Sequence, residues 1–268
     1  MSLPEADIHA RHEAGARIVR EAGLVALRHF ERRGELEVEA KGLQDFVSVA
    51  DRAVERMLVD RLLAEFPADA FLGEEHGQAG SGGVCWVIDP IDGTSNFVRG
   101  ISFWCVSVGL LVDNGPVVGF IHDPVRDELF AARPGHGAFC NGRRMRASQA
   151  EPSAARVHLG FSFGEEPRRF AETMRGLLAR GTEFCRLGSA AMALASVADG
   201  RLEGFWQPRI KSWDVCAGLV LAAESGAVVD DFFAGEGPAR QAACFAASPR
   251  VAPVLRAAIA EAAPLQRA

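Results

Sequence analysis

The sequence predicts an α/β (α+β) protein built from two closely packed, layered subdomains. Helical periodicity fills most of the first 65 residues, short apolar strands separated by turn residues follow from residue 84, and helices alternate with strands after about residue 151. No stretch rich in Pro, Gly or Ser divides the chain. We therefore predict an N-terminal α+β subdomain over residues 1–150 and a C-terminal α/β subdomain over residues 151–268.

Two helices are predicted at the start of the chain. Residues 5–33 lack proline, carry apolar side chains at helical spacing and end before Gly34. A second helix follows Ala50 and ends before Pro67, and short extended segments lie between the two helices. The residues of the second helix that are predicted to face water are Asp51, Arg52, Glu55 and Arg56.

The middle of the chain has the pattern of short strands. The predicted strands cover 84–89, 103–112, 117–122, 128–132 and 138–140. Asn114-Gly115 and Asn141-Gly142 are dipeptides that two-residue hairpin turns favour. This segment is therefore expected to form an antiparallel sheet with helices packed on one face.

The remainder of the chain alternates strands and helices. The predicted strands cover 156–163, 184–187, 204–207, 227–230 and 244–247. The predicted helices cover 165–180, 189–198, 215–225 and 249–261, and Ser189 is a candidate N-cap.

Composition and charge exclude several classes of protein. The chain is 49% apolar and 24% charged, as in ordinary globular proteins. Its 29 basic and 35 acidic residues give a net charge of −6, so a basic surface for nucleic acid is not expected. No apolar run reaches the ~20 residues that span a bilayer, and the N-terminus lacks a secretory signal. We expect a cytoplasmic protein with no membrane partner.

The six cysteines are scattered along the chain without a Cys-x-x-Cys pair, which indicates reduced thiols in the core. A zinc site is the alternative, but no Cys or His group has the spacing of zinc ligands.

The most informative segment is 86–97, Trp-Val-Ile-Asp-Pro-Ile-Asp-Gly-Thr-Ser-Asn-Phe. Asp89 ends a predicted strand, a proline blocks further pairing, and Asp92 follows. Two carboxylates and a backbone carbonyl are typical Mg²⁺ ligands, and a helix opening at Gly93 and Thr94 offers N–H groups to a phosphate. Taken alone, the segment is equally consistent with a simple turn capped by aspartate.

Two further acidic segments accompany it. Glu74-Glu75 follows an apolar strand, and Asp214 stands at the beginning of an apolar helix. Asp214 alone fits an N-cap better than a metal ligand.

Together these segments resemble the three signature motifs of the inositol monophosphatase family, part of a superfamily of Mg²⁺-dependent, Li⁺-sensitive phosphomonoesterases. The motifs are Glu74-Glu75, Asp89-Pro90-Ile91-Asp92-Gly93-Thr94, and Trp213-Asp214 followed by Ala217-Gly218. A fourth segment, Lys41, Asp45, Val47, Ser48 and Asp51, resembles the family's upstream Lys and Asp-x-Val-Thr-x-x-Asp, with Ser48 replacing Thr. The similarity spans about residues 10–250 and implies a layered αβαβα sandwich, usually a homodimer.

The resemblance also implies roles for individual residues. The ligands of two or three Mg²⁺ ions would be Glu74, Asp89, the carbonyl of Ile91, Asp92 and, from the C-terminal subdomain, Asp214. The catalytic residues would be Glu74 and Thr94, which orient water, and Asp51, which fixes or relays the proton. The phosphate would be held by the amides of Gly93 and Thr94. Lys41 and Asp45 are candidates to screen the site or contact a third metal, although Lys41 also fits an ordinary surface lysine, and Glu75 is expected to be structural.

The pocket for the leaving group is expected from residues 188–191 and 205–212. The candidate substrate contacts are Ser189, Ala190, Gln207 and Asp214. The family often has Glu seven residues before the aspartate of its third motif, whereas this chain has Gln207. A neutral amide binds hydroxyls but forms no salt bridge with an ammonium group, which favours inositol monophosphate or a related polyol phosphate.

Three functions remain open at this point. The first is metal-dependent hydrolysis of such a small-molecule phosphomonoester by activated water. The second, a histidinol-phosphate phosphatase of histidine biosynthesis, uses the same fold and metals. The third is a regulatory protein that binds transcription machinery, because some bacterial relatives do so.

Overall fold

The computed structural model describes residues 3–35, 38–42, 45–162, 165–234 and 237–262, without the side chains of 35, 38, 40–42 and 45–47. The helices are α1 Glu5–Glu31, α2 Val49–Glu65, α3 Thr94–Arg99, α4 Pro167–Leu178, α5 Ala190–Ala198, α6 Ser212–Glu224 and α7 Ala252–Glu261. The strands of the first part are β1 Val38–Gly42, β2 Asp45–Ser48, β3 Ala70–Gly73, β4 Gly77–Ala79, β5 Val84–Asp92, β6 Cys105–Val112, β7 Gly115–Asp123, β8 Glu128–Arg133, β9 Gly137–Cys140 and β10 Arg143–Arg144. Those of the second part are β11 Arg156–Leu159, β12 Glu183–Cys185, β13 Gly204–Lys211, β14 Val228–Val229 and β15 Gln241–Ala247.

The larger sheet has eight strands in the order β10-β9-β8-β7-β6-β5-β3-β4. Its neighbours are antiparallel except β3 and β5, which run parallel. Helices α1 and α2 cover one face, and α5 and α6 cover the other. The prediction that helices pack on one face of this sheet was therefore wrong, because helices from the second half of the chain cover the face left by α1 and α2.

The central strand β6 shows why both faces are covered. Val106, Val108 and Leu110 pack in the core under α1 and α2. On the opposite face the glycine at 109 gives α6 room, since a Cβ there would lie 2.4 Å from the Sγ of Cys216. Apolar side chains on both faces make this a buried sheet, for which alternation of polar and apolar residues is not required.

The smaller sheet has five strands in the order β12-β11-β13-β15-β14. Strand β11 is parallel to β12 and β13, and β15 is antiparallel to β13 and β14. One face packs against α5 and α6, and the other packs against α4 and α7. The layers follow the order α, β, α, β, α, as the resemblance implied.

Several predicted boundaries moved by a few residues. The β6–β7 turn uses Asp113 and Asn114, both with positive φ, while Gly115 already pairs in β7. Asp and Asn tolerate the left-handed region, so the turn slips one residue from the predicted Asn-Gly. Helix α6 begins three residues earlier than expected, and β13 runs on to meet it. Five of the six cysteines are buried, as predicted for core thiols.

Among the described residues, no helix combines the length and apolar character needed to cross a bilayer.

Candidate metal centre and adjoining cleft

The parallel pairing of β3 and β5 brings two acidic motifs together. Gly73 pairs with Ile88, and the next residue on each strand is Glu74 or Asp89. The backbone N–H of Glu74 donates to the carbonyl of Ile88 at 3.2 Å. Carboxylates separated by 15 residues in sequence thus leave the same edge of the sheet side by side.

A β-bulge turns Asp89 and Asp92 to the same side. Residues three apart on a regular strand face opposite sides of the sheet. Here Asp89 pairs with Ser107 and Asp92 with Cys105, so the two residues between them oppose only one on β6. This extra residue reverses the alternation, and the bulge includes a proline that has no N–H to pair.

Helix α6 adds the third carboxylate. Asp214 lies in its first turn and accepts a hydrogen bond from the backbone N–H of Lys211 at 3.0 Å. It therefore serves as part of a helix cap, one of the two interpretations of the sequence. It also lies beside the other aspartates, because one oxygen each of Asp89, Asp92 and Asp214 can be chosen within 4.8 Å of one another.

The N-terminus of α5 holds Asp92 in place. Its carboxylate accepts hydrogen bonds from the backbone N–H groups of Ala190 at 3.3 Å and Ala191 at 2.6 Å, and from the hydroxyl of Ser189. Ser189 is also the N-cap of α5, as predicted, and accepts from the N–H of Met192. The buried hydroxyl of Ser189 donates to Asp92 and so helps to position that carboxylate. Ser189 also lines the pocket, as predicted.

Asp89 has the environment of a cation ligand. Burial raises its pKa well above the ordinary range. The neighbouring carboxylates that raise its pKa further are, in order of effect, Glu74, Asp92, Asp214 and Asp51. Its Oδ1 accepts from the N–H of Ile91 at 3.1 Å, but its buried Oδ2 has no hydrogen-bond partner among the described residues. Such an oxygen needs a proton or a cation, and a set of carboxylate oxygens fits a hard divalent ion such as Mg²⁺.

The pKa of Asp92 is raised as well, and burial is again the main cause. Burial raises its pKa, and the hydroxyl and amide donors of the α5 N-terminus oppose that shift. A divalent cation in this place would therefore displace protons that the buried carboxylates otherwise retain.

Gly93 and Thr94 form the predicted opening of a helix, although α3 is only six residues long. Gly93 has φ of 97°, and a Cβ there would lie 3.1 Å from the carbonyl oxygen of Phe103, so glycine is required. The hydroxyl of Thr94 lies 3.0 Å from the carbonyl of Ile91 and 3.4 Å from Asp51. The N–H groups of Asn96 and Phe97 donate to the carbonyl of Gly93, and the N–H groups before them in the chain precede the first hydrogen-bonded turn of the helix.

Asp51 is buried at the start of α2 rather than exposed to water as predicted. It accepts from the N–H and the hydroxyl of Ser48 in a capping box, at 2.8 and 2.7 Å. Burial raises its pKa to about 6, against the lowering effect of those two donors. Serine thus supplies the capping interaction at the position where the family usually has threonine.

Glu55 is a residue that the sequence analysis missed. It was placed on the wet face of α2, but it is 0% exposed. Its carboxylate accepts from the backbone N–H groups of Glu75 and His76, and it lies 2.7 Å from the Nδ1 of His76. The segment that carries Glu74 is therefore fixed by α2. The spacing of the sequence did contain a signal for Glu55. It stands one helical turn after Asp51, so the two carboxylates lie on the same face of α2.

We expect Glu55→Ala to displace Glu74 because the N–H groups of Glu75 and His76, in the same segment, lose their buried acceptor. The expected result is a loss of about 1–3 kcal/mol in the free energy of unfolding and a weaker response to Mg²⁺. Urea unfolding and Mg²⁺ titration of activity measure the two effects. Arg56→Ala on the exposed side of the same helix is the matched control, and equal behaviour of the two variants would contradict this role.

A cleft opens beside the carboxylates. Its deeper part, a cavity of about 160 Å³, is lined by residues that include Asp92, Ser189, Ala190, Gln207 and Asp214. A wider cleft of about 860 Å³ lies alongside and is lined by Glu74, Gln207 and Asp214 among others. The predicted substrate residues are thus brought together. His158 and Arg186 also line the deeper cavity, and no sequence motif had indicated them.

The side chains of Lys41 and Asp45, predicted to screen the site or contact a third metal, lie outside the part of the chain that the structure describes.

Comparisons with known proteins find relatives over most of the chain. The model of the inositol monophosphatase family matches residues 9–265. A protein named Nus factor SuhB from Xylella fastidiosa is 40% identical over 222 residues, which cover 82% of this chain and 81% of that protein.

Solved structures share the fold. The extragenic suppressor protein suhB from Bartonella henselae superposes with a TM-score of 0.88 and 32% identity, covering 93% of this chain and 98% of that one. An IMPase from Thermotoga maritima gives a TM-score of 0.84 and 30% identity, covering 94% and 98%.

Proposed function

The chain belongs to the inositol monophosphatase family, and from that premise we propose that it is a Mg²⁺-dependent phosphomonoesterase acting on inositol monophosphate or a related small polyol phosphate. The observation that carries the proposal is the group of Asp89, Asp92 and Asp214, in which the buried Oδ2 of Asp89 has no hydrogen-bond partner among the described residues. These carboxylates, Glu74 and the carbonyl of Ile91 would hold two or three ions. When bound, Mg²⁺ supplies positive charge that neutralises the ester and activates a water molecule.

Thr94 has the geometry to orient the attacking water. Its single proton is directed to the carbonyl of Ile91 or to Asp51, at 3.0 and 3.4 Å. The lone pairs of its oxygen are then free to accept a hydrogen from water, which aims the water's own lone pair at phosphorus. Glu74 would accept the other hydrogen. Asp51 would fix the threonine and receive the proton that the water loses.

The remaining groups would hold the ester and release the leaving group. The amides of Gly93 and Thr94 would bind phosphate oxygens at the start of α3. The phosphorus–oxygen bond to the leaving group breaks as the water oxygen attacks in line. Asp214, at the edge of the cleft, would hold the water that returns a proton to the departing oxygen.

Gln207 carries the proposed preference for a polyol. Its amide nitrogen donates to the hydroxyl of Ser162 at 3.0 Å and to the carbonyl of Arg209 at 3.2 Å. The amide oxygen lies against Gly160, where an added Cβ would be 1.9 Å away, and both residues line the cavity, so this oxygen would be the acceptor for hydroxyl groups of the substrate. No negative charge is present at this position to pair with an ammonium group.

We expect Gln207→Glu to shift the ratio of kcat/KM for histidinol phosphate to that for myo-inositol 1-phosphate upward, by about 5- to 10-fold. The physical reason is a new carboxylate that attracts an ammonium group. Gln241→Glu, at another position on the wider cleft, is the control for added negative charge. An unchanged ratio would place residue 207 outside the region that contacts the leaving group.

A panel of phosphomonoesters tests the proposal, with phosphate release measured with and without Mg²⁺ and Li⁺. We expect Mg²⁺-dependent release from myo-inositol 1-phosphate that Li⁺ inhibits. Release from histidinol phosphate alone would replace the proposed substrate with that one, and no release from any ester would reject the enzymatic function. The homodimer, the cytoplasmic location and the absence of a nucleic-acid or membrane partner stay predictions.

A second candidate is a regulatory role with the transcription machinery. The observation that favours it is the name Nus factor SuhB carried by the Xylella fastidiosa relative. We infer that such a role would use the surface of the fold rather than the carboxylate group. Affinity purification of tagged wild type and Asp92→Asn tests it. Recovery of RNA polymerase by both proteins supports this role, whereas recovery by neither contradicts it.

A further inference from the structure

Asn96 connects the helix that follows the carboxylate motif to a turn in the second half of the chain. It lies on α3, and its Nδ2 donates hydrogen bonds to the carbonyl of Phe103 at 2.8 Å and to the carbonyl of Leu187 at 2.9 Å. Leu187 is 91 positions further along the chain. Carbonyl oxygens only accept, so the NH₂ group of the amide must face both partners. Both of its protons are therefore used in this connection.

The helix that carries Asn96 is itself firmly held. The next residue, Phe97, is fully buried in the core under α1 and α2. Its ring centroid lies 4.8 Å from that of Trp104 and 5.4 Å from that of Phe30. Aromatic packing of this kind restrains the short helix, since a displacement would open a gap in the core. Asn96 is thus a fixed donor, and the turn at Leu187 is positioned against it.

The turn that accepts from Asn96 leads directly into α5. A Cβ at Gly188 would lie 2.9 Å from the Nδ2 of Asn96, so the backbone of the turn lies close against the amide. Ser189, the N-cap of α5, is the next residue. The position of the α5 N-terminus therefore depends on the contact with α3.

The same N-terminus holds Asp92 through the amides of Ala190 and Ala191 and the hydroxyl of Ser189. Residues 92–96 and 187–191 are thus joined at two places, by Asp92 at one end and by Asn96 at the other. Two separated contacts fix an orientation, whereas one contact leaves a rotation free. The connection to Leu187 therefore determines how the α5 donors meet the carboxylate.

We propose that Asn96 is a positioning residue for the metal centre, which acts by fixing the turn at Leu187 and, through it, the α5 N-terminus that holds Asp92. This inference rests on the proposed phosphomonoesterase function and adds a residue that acts through α5. Without the two hydrogen bonds of Asn96, the amides of α5 hold the carboxylate in a less defined direction. Partners behind a metal ligand orient it, so Mg²⁺ binds more weakly when they are loosened.

The test uses two variants of Asn96 and one control. Asn96→Leu keeps the branched arrangement of side-chain atoms but removes both donors, and Asn96→Ala removes most of the side chain. Asn141→Ala is the matched control, because Asn141 is an exposed asparagine whose Nδ2 donates to the carbonyl of Asp127 at 2.6 Å, in the β7–β8 turn. Hydrogen exchange of the peptide 187–192 is measured in EDTA. The Tm of each protein is then recorded as Mg²⁺ is added, so neither measurement requires a substrate.

We expect both Asn96 variants to exchange residues 187–192 about 5- to 10-fold faster than wild type, because the start of α5 opens more often. The Mg²⁺ concentration that gives half of the Tm shift should rise by about 3- to 10-fold. Asn141→Ala should lower Tm without changing either quantity. This pattern separates the positioning of Asp92 from a general loss of stability.

An unchanged Mg²⁺ requirement in both Asn96 variants would overturn the role of Asn96, with or without faster exchange, and would leave the proposed function intact. A weaker Mg²⁺ response confined to Asn96→Ala would assign the effect to lost volume and would also overturn it. A wild type whose Tm does not respond to Mg²⁺ and that releases no phosphate would overturn the proposed function and this inference with it.

Discussion

Replacing Asp92 with asparagine is expected to lower kcat/KM for phosphomonoester hydrolysis by about 10²- to 10³-fold or more while the protein remains folded. The change removes one negative charge from a group in which three carboxylates approach within 4.8 Å. It also alters the acceptor that the α5 N-terminus holds through Ala191 at 2.6 Å. Steady-state phosphate release and circular dichroism measure the two parts of this prediction.

Asp60→Asn is the matched control for Asp92→Asn. Asp60 is exposed on α2, so the control removes the same charge without touching the cleft. Its activity should stay within about 2-fold of wild type. Asp92→Asn with activity close to that of the control would remove this carboxylate from the catalytic group.

The second large effect is the change in thermal stability caused by Asp89→Asn and by Mg²⁺. In the absence of metal, Asp89→Asn is expected to raise Tm by a few degrees, because it removes a buried charge that its carboxylate neighbours repel. In wild type, Mg²⁺ at about 100 times its Kd should stabilise the fold by about 2.7 kcal/mol and raise Tm by about 5–10 °C. Asp89→Asn should lose most of this response together with its activity.

The pH dependence of this effect follows from the raised pKa of Asp89. A group whose folded pKa lies above its unfolded value of about 3.8 stabilises the fold fully below that value and loses the contribution as pH rises through the folded pKa. The advantage of Asp89→Asn over metal-free wild type should therefore grow from acidic to neutral pH. His122 and His158, whose pKa values burial lowers to about 4, change stability in the opposite direction, but both proteins contain them and their contributions cancel in the difference.

Thermal scans of both proteins in EDTA and in Mg²⁺, from pH 5 to 8, provide this measurement. A metal-free wild type more stable than Asp89→Asn at neutral pH, with equal Tm shifts on adding Mg²⁺, would contradict a metal role for this residue.

The sequence identifies the ligands of the proposed site but does not show that their side chains point to the same side of the sheet. Asp89 and Asp92 are separated by three positions, which on a regular strand would place them on opposite faces. Only the bulge, detected through the register with β6, explains their meeting. Similarly, Asp214 reaches the other two because α6 packs on the large sheet, and local periodicity contains no information about that packing.

Buried polar residues were the least predictable part of the site. The helical pattern of α2 places Glu55 beside polar neighbours and therefore indicates exposure, yet the residue is buried against the segment after β3. His158 stands in an apolar strand without a motif of its own, so its stacking on Phe205 and its place in the cavity depend on the pairing of β11 with β13. By contrast, the α5 N-cap at Ser189 is determined by neighbouring residues and was predicted correctly.

The decisive measurement for a metal-dependent phosphatase is phosphate release from myo-inositol 1-phosphate by metal-stripped protein, followed as Mg²⁺ is added back. We expect negligible release in EDTA, saturable recovery with Mg²⁺, and no recovery for Asp92→Asn at the same Mg²⁺ concentrations. Release that is unaffected by EDTA, or that Asp92→Asn supports as well as wild type, would contradict a metal-dependent phosphatase centred on these carboxylates.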